Sequence, residues 1–181
     1  MTTQEQKNEH GSDPKGSLGA TRFQPGRRNG PDDTAARTST QPKAQRMARS
    51  AAILAAVLLG GIAILQVALA AGAPWGGIAW GGVEEGQLSD PLRVASAVAA
   101  IVLAWMALVL LTRGGVMPKT KIVPARHLRV ETWAIAVVMG LNTLGNLASG
   151  NPFEQTVFAP ATAVLTALAV YLAVRGVETR S

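Results

Sequence analysis

From Ala51 onward the chain is built from apolar blocks of about 20 residues, the length a helix needs to cross the hydrocarbon core of a bilayer. They run over about residues 51–71, 92–112, 130–149 and 156–174. In lipid every backbone amide and carbonyl must find its partner within the spanning structure, so blocks of this length predict helices. The expected fold class is all-α, a four-transmembrane-helix bundle with a disordered N-terminal tail. Composition agrees: 15% of the 181 residues are charged, well below the roughly 25% of soluble domains.

Residues 1–49 hold Gly, Pro, Ser, Thr, Gln and charges, with Met1, Leu18, Phe23 and Met47 as the only large apolar side chains. Such a segment buries too little surface to offset the entropy of ordering it, which predicts a disordered basic cytoplasmic tail. Residues 50–176 form the expected transmembrane domain and 177–181 a short cytoplasmic C-terminus. Ala68-Leu69-Ala70 has the form of a signal-peptidase site. The apolar block before it is longer than the 7 to 15 or so residues of a secretory signal, so an uncleaved helix is expected.

The first block offers a small-residue stripe, Ala52, Ala56, Gly60 and Ala63, of the kind that lets membrane helices approach closely. The second carries Arg93, Ala97, Ala100, Ala104 and Ala107 along one side and Trp105 in the middle, where it is expected to be buried. Thr162, Thr166, Ala169 and Ala173 mark the inward side of the fourth, and its threonines are expected to bond their own backbone.

The third block is the unusual one, because Leu141-Asn142-Thr143-Leu144-Gly145-Asn146-Leu147-Ala148-Ser149 sets amides, a glycine and hydroxyls into an apolar segment. At about 100° per residue, Asn142, Gly145, Asn146 and Ser149 share roughly a third of the circumference, and Glu131 lies within about 20° of Asn142 at the other end. Polar groups at membrane depth are costly unless they face protein or water, so this face is expected to look inward. Glu131 sits in the first turn, where the helix dipole favours a carboxylate.

Between the first two blocks, Gly72-Ala73-Pro74-Trp75-Gly76-Gly77-Ile78-Ala79-Trp80-Gly81-Gly82 is too glycine-rich for a stable helix. Two readings stay open. Trp75 and Trp80 anchor an interfacial loop at the headgroups, or the segment folds back as a lid over the polar face of the third helix.

Of the 17 Lys and Arg, 9 precede the first block, 5 lie between the second and third, and 2 follow the fourth, which leaves Arg93 alone on the other side. The opposite connections carry Glu84, Glu85, Asp90 and Glu154. Positive charge gathers on the cytoplasmic side, so both termini are expected there, in a bacterial cytoplasmic membrane. The basic residues flank apolar blocks without interleaved aromatics, which argues against nucleic acid as a partner.

With no cysteine and only His10 and His127, thiolate sites, a cysteine nucleophile and paired-histidine metal sites are excluded or have no support. No cofactor and no metal are implied. Across about residues 51–175 the chain resembles a family of small, uncharacterised bacterial integral membrane proteins with four helices. The resemblance is carried by Gly72-Ala73-Pro74-Trp75-Gly76, by Trp80-Gly81-Gly82 and by Leu141 to Ser149. The alanine-rich helices look actinobacterial. The resemblance implies a topology and no mechanism.

The function expected is that of a non-catalytic accessory or small-amphiphile-binding membrane protein. Its site would be built in the outer leaflet from Asn142, Asn146 and Ser149, approached by Arg93 and Glu154 and covered by the loop of Trp75 and Trp80. The partners expected are the lipid bilayer, a lipid or small amphiphile, and a membrane protein or a second copy of the chain. A small transporter is the alternative, against which stands the lack of a carboxylate in any block's centre. For a membrane enzyme no catalytic set can be assembled. The amides could also serve only to join helices, at about 0.6 kcal/mol each.

Overall fold

A computed structural model describes residues 31–118 and 127–176, with side chains from Lys43 on. The described residues are helical and contain no strand. Four long helices follow in order, α1 (Pro31–Ala70), α2 (Asp90–Arg113), α3 (Leu128–Ala148) and α4 (Ala159–Arg175). Two short 3-10 turns, Gly76–Ile78 and Trp80–Gly82, lie between α1 and α2, and a π-helical turn, Glu154–Phe158, leads into α4.

Among the described residues three helical stretches are long and apolar enough to cross a membrane, Lys43–Ala70, Asp90–Arg113 and Glu154–Arg175. The remaining helix, α3, has 21 residues but carries Arg129, Glu131, Asn142 and Asn146, which dilute its apolar character.

Two helical hairpins make the bundle. α1 packs along α2 and α3 along α4; the pairs join chiefly through α1 and α4, with sparser packing between α2 and α3. The core is aliphatic and drawn from every helix: Ala52 and Leu59 of α1, Leu103 and Leu110 of α2, Ile135 and Met139 of α3, Leu165 and Leu172 of α4. A second small cluster, Leu69, Ala79 and Leu88, seats the glycine–tryptophan loop on the end of the first hairpin.

The expected disorder over residues 1–49 divides in two. Residues 1–30 lie outside the described residues, as do 119–126 of the basic connection and 177–181; residues 31–49 belong to α1.

The small residues of α1 act where α2 ends. Ala48 and Ala52 are fully buried, and a Cβ on Gly114 would lie 2.2 Å from Ala52 Cβ and 2.9 Å from the Ala48 carbonyl oxygen. The buried stripe therefore runs through Ala48, Ala52, Ala55 and Leu59, whereas Gly60 has no atom within 4 Å of where its Cβ would be. Next to Gly114, Arg113 is 6% exposed. Its Nε donates to the Leu172 carbonyl at 3.1 Å and its Nη2 to the Ala173 carbonyl at 3.1 Å. A cation thus closes the carbonyl end of α4, where the helix dipole is negative.

Three expectations about helix faces are corrected. On α2 the packed side is Ser96, Ala100, Leu103, Met106 and Leu110; Ala97 and Ala104 are exposed, because leucine and methionine fill the space between helices and gain more dispersion contact there. Trp105 accordingly lies on the outer side, 37% exposed. On α3 the buried residues are Leu128, Thr132, Ile135, Ala136 and Met139. At about 100° per residue Asn142, Gly145 and Ser149 are turned away from the centre of that face; Asn142 and Gly145 are exposed and Asn146 is half-buried. In α4, Thr162, Ala169 and Ala173 are buried, and Thr162 and Thr166 donate to the Phe158 and Thr162 carbonyls at 2.8 Å, as the spacing predicts.

Candidate ligand site

The fourth helical stretch opens earlier than the sequence suggests. Pro160 has no amide, so the regular bond to Thr156 cannot form. The turn instead widens, and the Ala159 N–H donates five residues back to the Glu154 carbonyl. Widened turns of this kind recur at functional sites. Here the turn draws Glu154 out of the connection where the sequence places it and into the bundle, where it is 7% exposed.

Above that turn the glycine–tryptophan loop folds back on the bundle. Trp80 has φ 54°, a left-handed conformation rare for a bulky residue, followed by Gly81 at 74° and Gly82 at 68°. Such strain persists only when neighbouring contacts hold it. Those contacts are on hand. The Trp80 Nε1–H donates to Ser96 Oγ at 3.0 Å, the Gly81 N–H donates to Glu154 Oε1 at 2.7 Å, and Asn151 Nδ2 donates to the Gly77 carbonyl at 2.7 Å. Gly82 passes so close to Asn151 that a Cβ would stand 2.9 Å from its Nδ2.

Beneath the loop lies a cavity of about 380 Å³, within the size range of small-molecule sites. All four helices line it. Ile62 and Gln66 come from α1, Leu103 and Met106 from α2, Val138 and Asn142 from α3, and Thr162 from α4, with Trp80, Glu154 and Phe158 at the loop end. Val102 and Val138 line it while 44% exposed each. It therefore opens sideways between α2 and α3, the sparsely packed pair.

The polar groups are unevenly satisfied. Asn146 Nδ2 donates to Thr162 Oγ1 and to Asn142 Oδ1, both at a long 3.4 Å. Gln66 Oε1 is buried with no partner.

Of the residues expected to make the site, Asn142, Asn146, Glu154 and Trp80 line the cavity together. Arg93 does not. It lies in a separate crevice with Ala70, Asp90, Val94 and Ala97. Its Nε donates to the Ala70 carbonyl at 3.0 Å, capping α1, and its Nη1 meets Asp90 Oδ1 at 3.4 Å. Ser149 is taken up by the connection, its Oγ accepting from the Asn151 N–H at 3.1 Å and its carbonyl from Gln155 Nε2. Trp75 stays 50% exposed at the rim of the loop. Gln66 and Ser96 belong to the site without having been singled out for it. Gln66 is the lone polar residue of its apolar block, and Ser96 is the one hydroxyl between Arg93 and Thr112 in the next, which is the signal they carry.

These elements define a class, a small helical protein with membrane-length helices and a laterally open cavity under a structured loop. No family model, curated protein or solved structure matches the chain.

Proposed function

We propose that this is a four-crossing protein of a bacterial cytoplasmic membrane, with both termini in the cytoplasm, that binds a small amphiphile and catalyses no reaction. α3 is its fourth crossing: it packs along the length of α4, so it occupies the same depth as a helix that is long and apolar enough to span. The split of basic residues, with Arg93 alone on one side, supports the orientation.

The observation that carries the binding role is the cavity: apolar walls from α1, α2 and α3, Glu154 and the amides in its lining, and an opening between α2 and α3 at the exposed Val102 and Val138. An apolar lining with no partner atoms forfeits its dispersion contacts, at a cost in free energy. A chain or headgroup entering through the α2–α3 opening removes that cost.

Mass measurement under lipid-retaining conditions tests this. Wild-type protein should carry a bound amphiphile, and Ala99→Phe, which fills the wall of the cavity, should lose it without losing thermal stability. The same adducts on both proteins, or none on either, would overturn the reading.

A further inference from the structure

We infer that the amphiphile is cationic and that Glu154 is its counter-charge, an assignment that rests on reading the cavity as a ligand site. A carboxylate buried this deeply needs compensation from a cation or from several donors. Glu154 receives one hydrogen bond from the chain, the Gly81 N–H at 2.7 Å. Arg93 pairs with Asp90 instead, and no Lys or Arg lines the cavity. A carboxylate offers about four lone-pair positions, so the bond to Gly81 leaves room for a ligand's positive group.

The neighbouring surfaces share that sign. Gln66 lines the same space with an amide oxygen that has no hydrogen-bond partner among the described residues, and so do Trp80 and Phe158, aromatic rings of the kind that attract ammonium groups. An anionic headgroup would meet Glu154 uncompensated; an ammonium headgroup would find a carboxylate, an amide oxygen and two rings. Ile62, Leu103, Met106 and Val138 supply the apolar wall for its tail. The loop and the ligand also converge on one group, since the carboxylate that would hold the cation also holds Gly81, next to the strained Trp80.

The test compares three probes with the same tail on full-length protein in a neutral detergent: octyltrimethylammonium, octanol and octyl sulfate, their bound adducts counted by native mass spectrometry. The cation should bind about tenfold or more tightly than the other two. Glu154→Gln keeps an oxygen for the Gly81 N–H and should bring the cation down to the level of octanol. Ala99→Phe should abolish both. Equal cation binding by wild type and Glu154→Gln would overturn the inference, as would octyl sulfate binding at least as well as the cation to wild type, a result that needs no variant to fold. If octanol and the cation bind alike and both are lost in Ala99→Phe, the cavity reading stands and the charge assignment falls. If no probe responds to Ala99→Phe, both fall.

Discussion

Replacing Gly114 with alanine isolates one contact at the inner end of the bundle. Gly114 has φ −77° and ψ −2°, a conformation alanine adopts freely, so no backbone strain enters. The added methyl would stand 2.2 Å from Ala52 Cβ and 2.9 Å from the Ala48 oxygen, against an optimum of about 3.5–4.0 Å between carbons. α1 must therefore shift by more than 1 Å or so, and overpacking of this kind costs about 1–3 kcal/mol. Against this, alanine restricts the unfolded chain and returns about 0.4–1 kcal/mol. A net loss of about 1–2 kcal/mol is expected in reversible unfolding in mixed micelles. Ala52→Gly removes the nearer obstacle and leaves the farther one, so the double variant should be less destabilised than the sum of the two by more than about 0.5 kcal/mol. Gly60→Ala, with no atom within 4 Å, is the control and should cost nothing. If Gly114→Ala is no worse than Gly60→Ala, the α1–α2 approach described above is wrong.

Arg113→Met should destabilise the protein by about 2–4 kcal/mol, because two carbonyl acceptors at the end of α4 lose a charged donor; an unchanged melting temperature in detergent would refute the capping role. Glu84 gives a pH dependence. The Ser89 backbone N–H donates to it at 2.6 Å and, with the Ser89 side chain, holds its carboxyl below the ordinary carboxylate value. A lowered acid contributes its stabilisation above the unfolded value, about 4.3, and loses it as pH falls through the folded one. Hydrogen exchange at the Ser89 amide should therefore be slow near neutral pH and speed up, beyond the intrinsic trend, as pH falls below about 4; a flat protection profile would refute it.

The helices were legible in the sequence because block length and composition dictate them; the faces were legible only in part. Thr162, Ala169 and Ala173 in α4 lie beside Leu165 and Leu172, and the two stripes are buried together. In α2 an alanine stripe and a leucine–methionine stripe lie side by side, and spacing alone does not say which one packs; the larger dispersion contact made by the second decides it. Arg113 looked like one of several loop cations because its partners, the Leu172 and Ala173 carbonyls, are some 60 residues away. Glu154 looked like a loop acid because the widened turn that recruits it depends on Pro160, four residues beyond the apparent start of the helix.

The displaced amides of α3 and the cavity have one origin. α3 has to present Thr132, Ile135, Ala136 and Met139 to the core, and at about 100° per residue that choice leaves Asn142 on the edge facing α2. Across from it α2 offers Ala99 and Val102, a small residue and a β-branched one, neither with a donor or acceptor on its side chain. An amide edge gains little by closing on such a surface, so α2 and α3 stand apart at this level, while Met106 and Met139 belong both to the cavity's lining and to the core. One turn above Ala99, Ser96 ties Trp80 across the top of the gap. The opening is thus fixed by an unfavourable pairing on one side and by a strained but hydrogen-bonded loop on the other, and volume added at Ala99, on the α2 side of that pairing, enters the cavity.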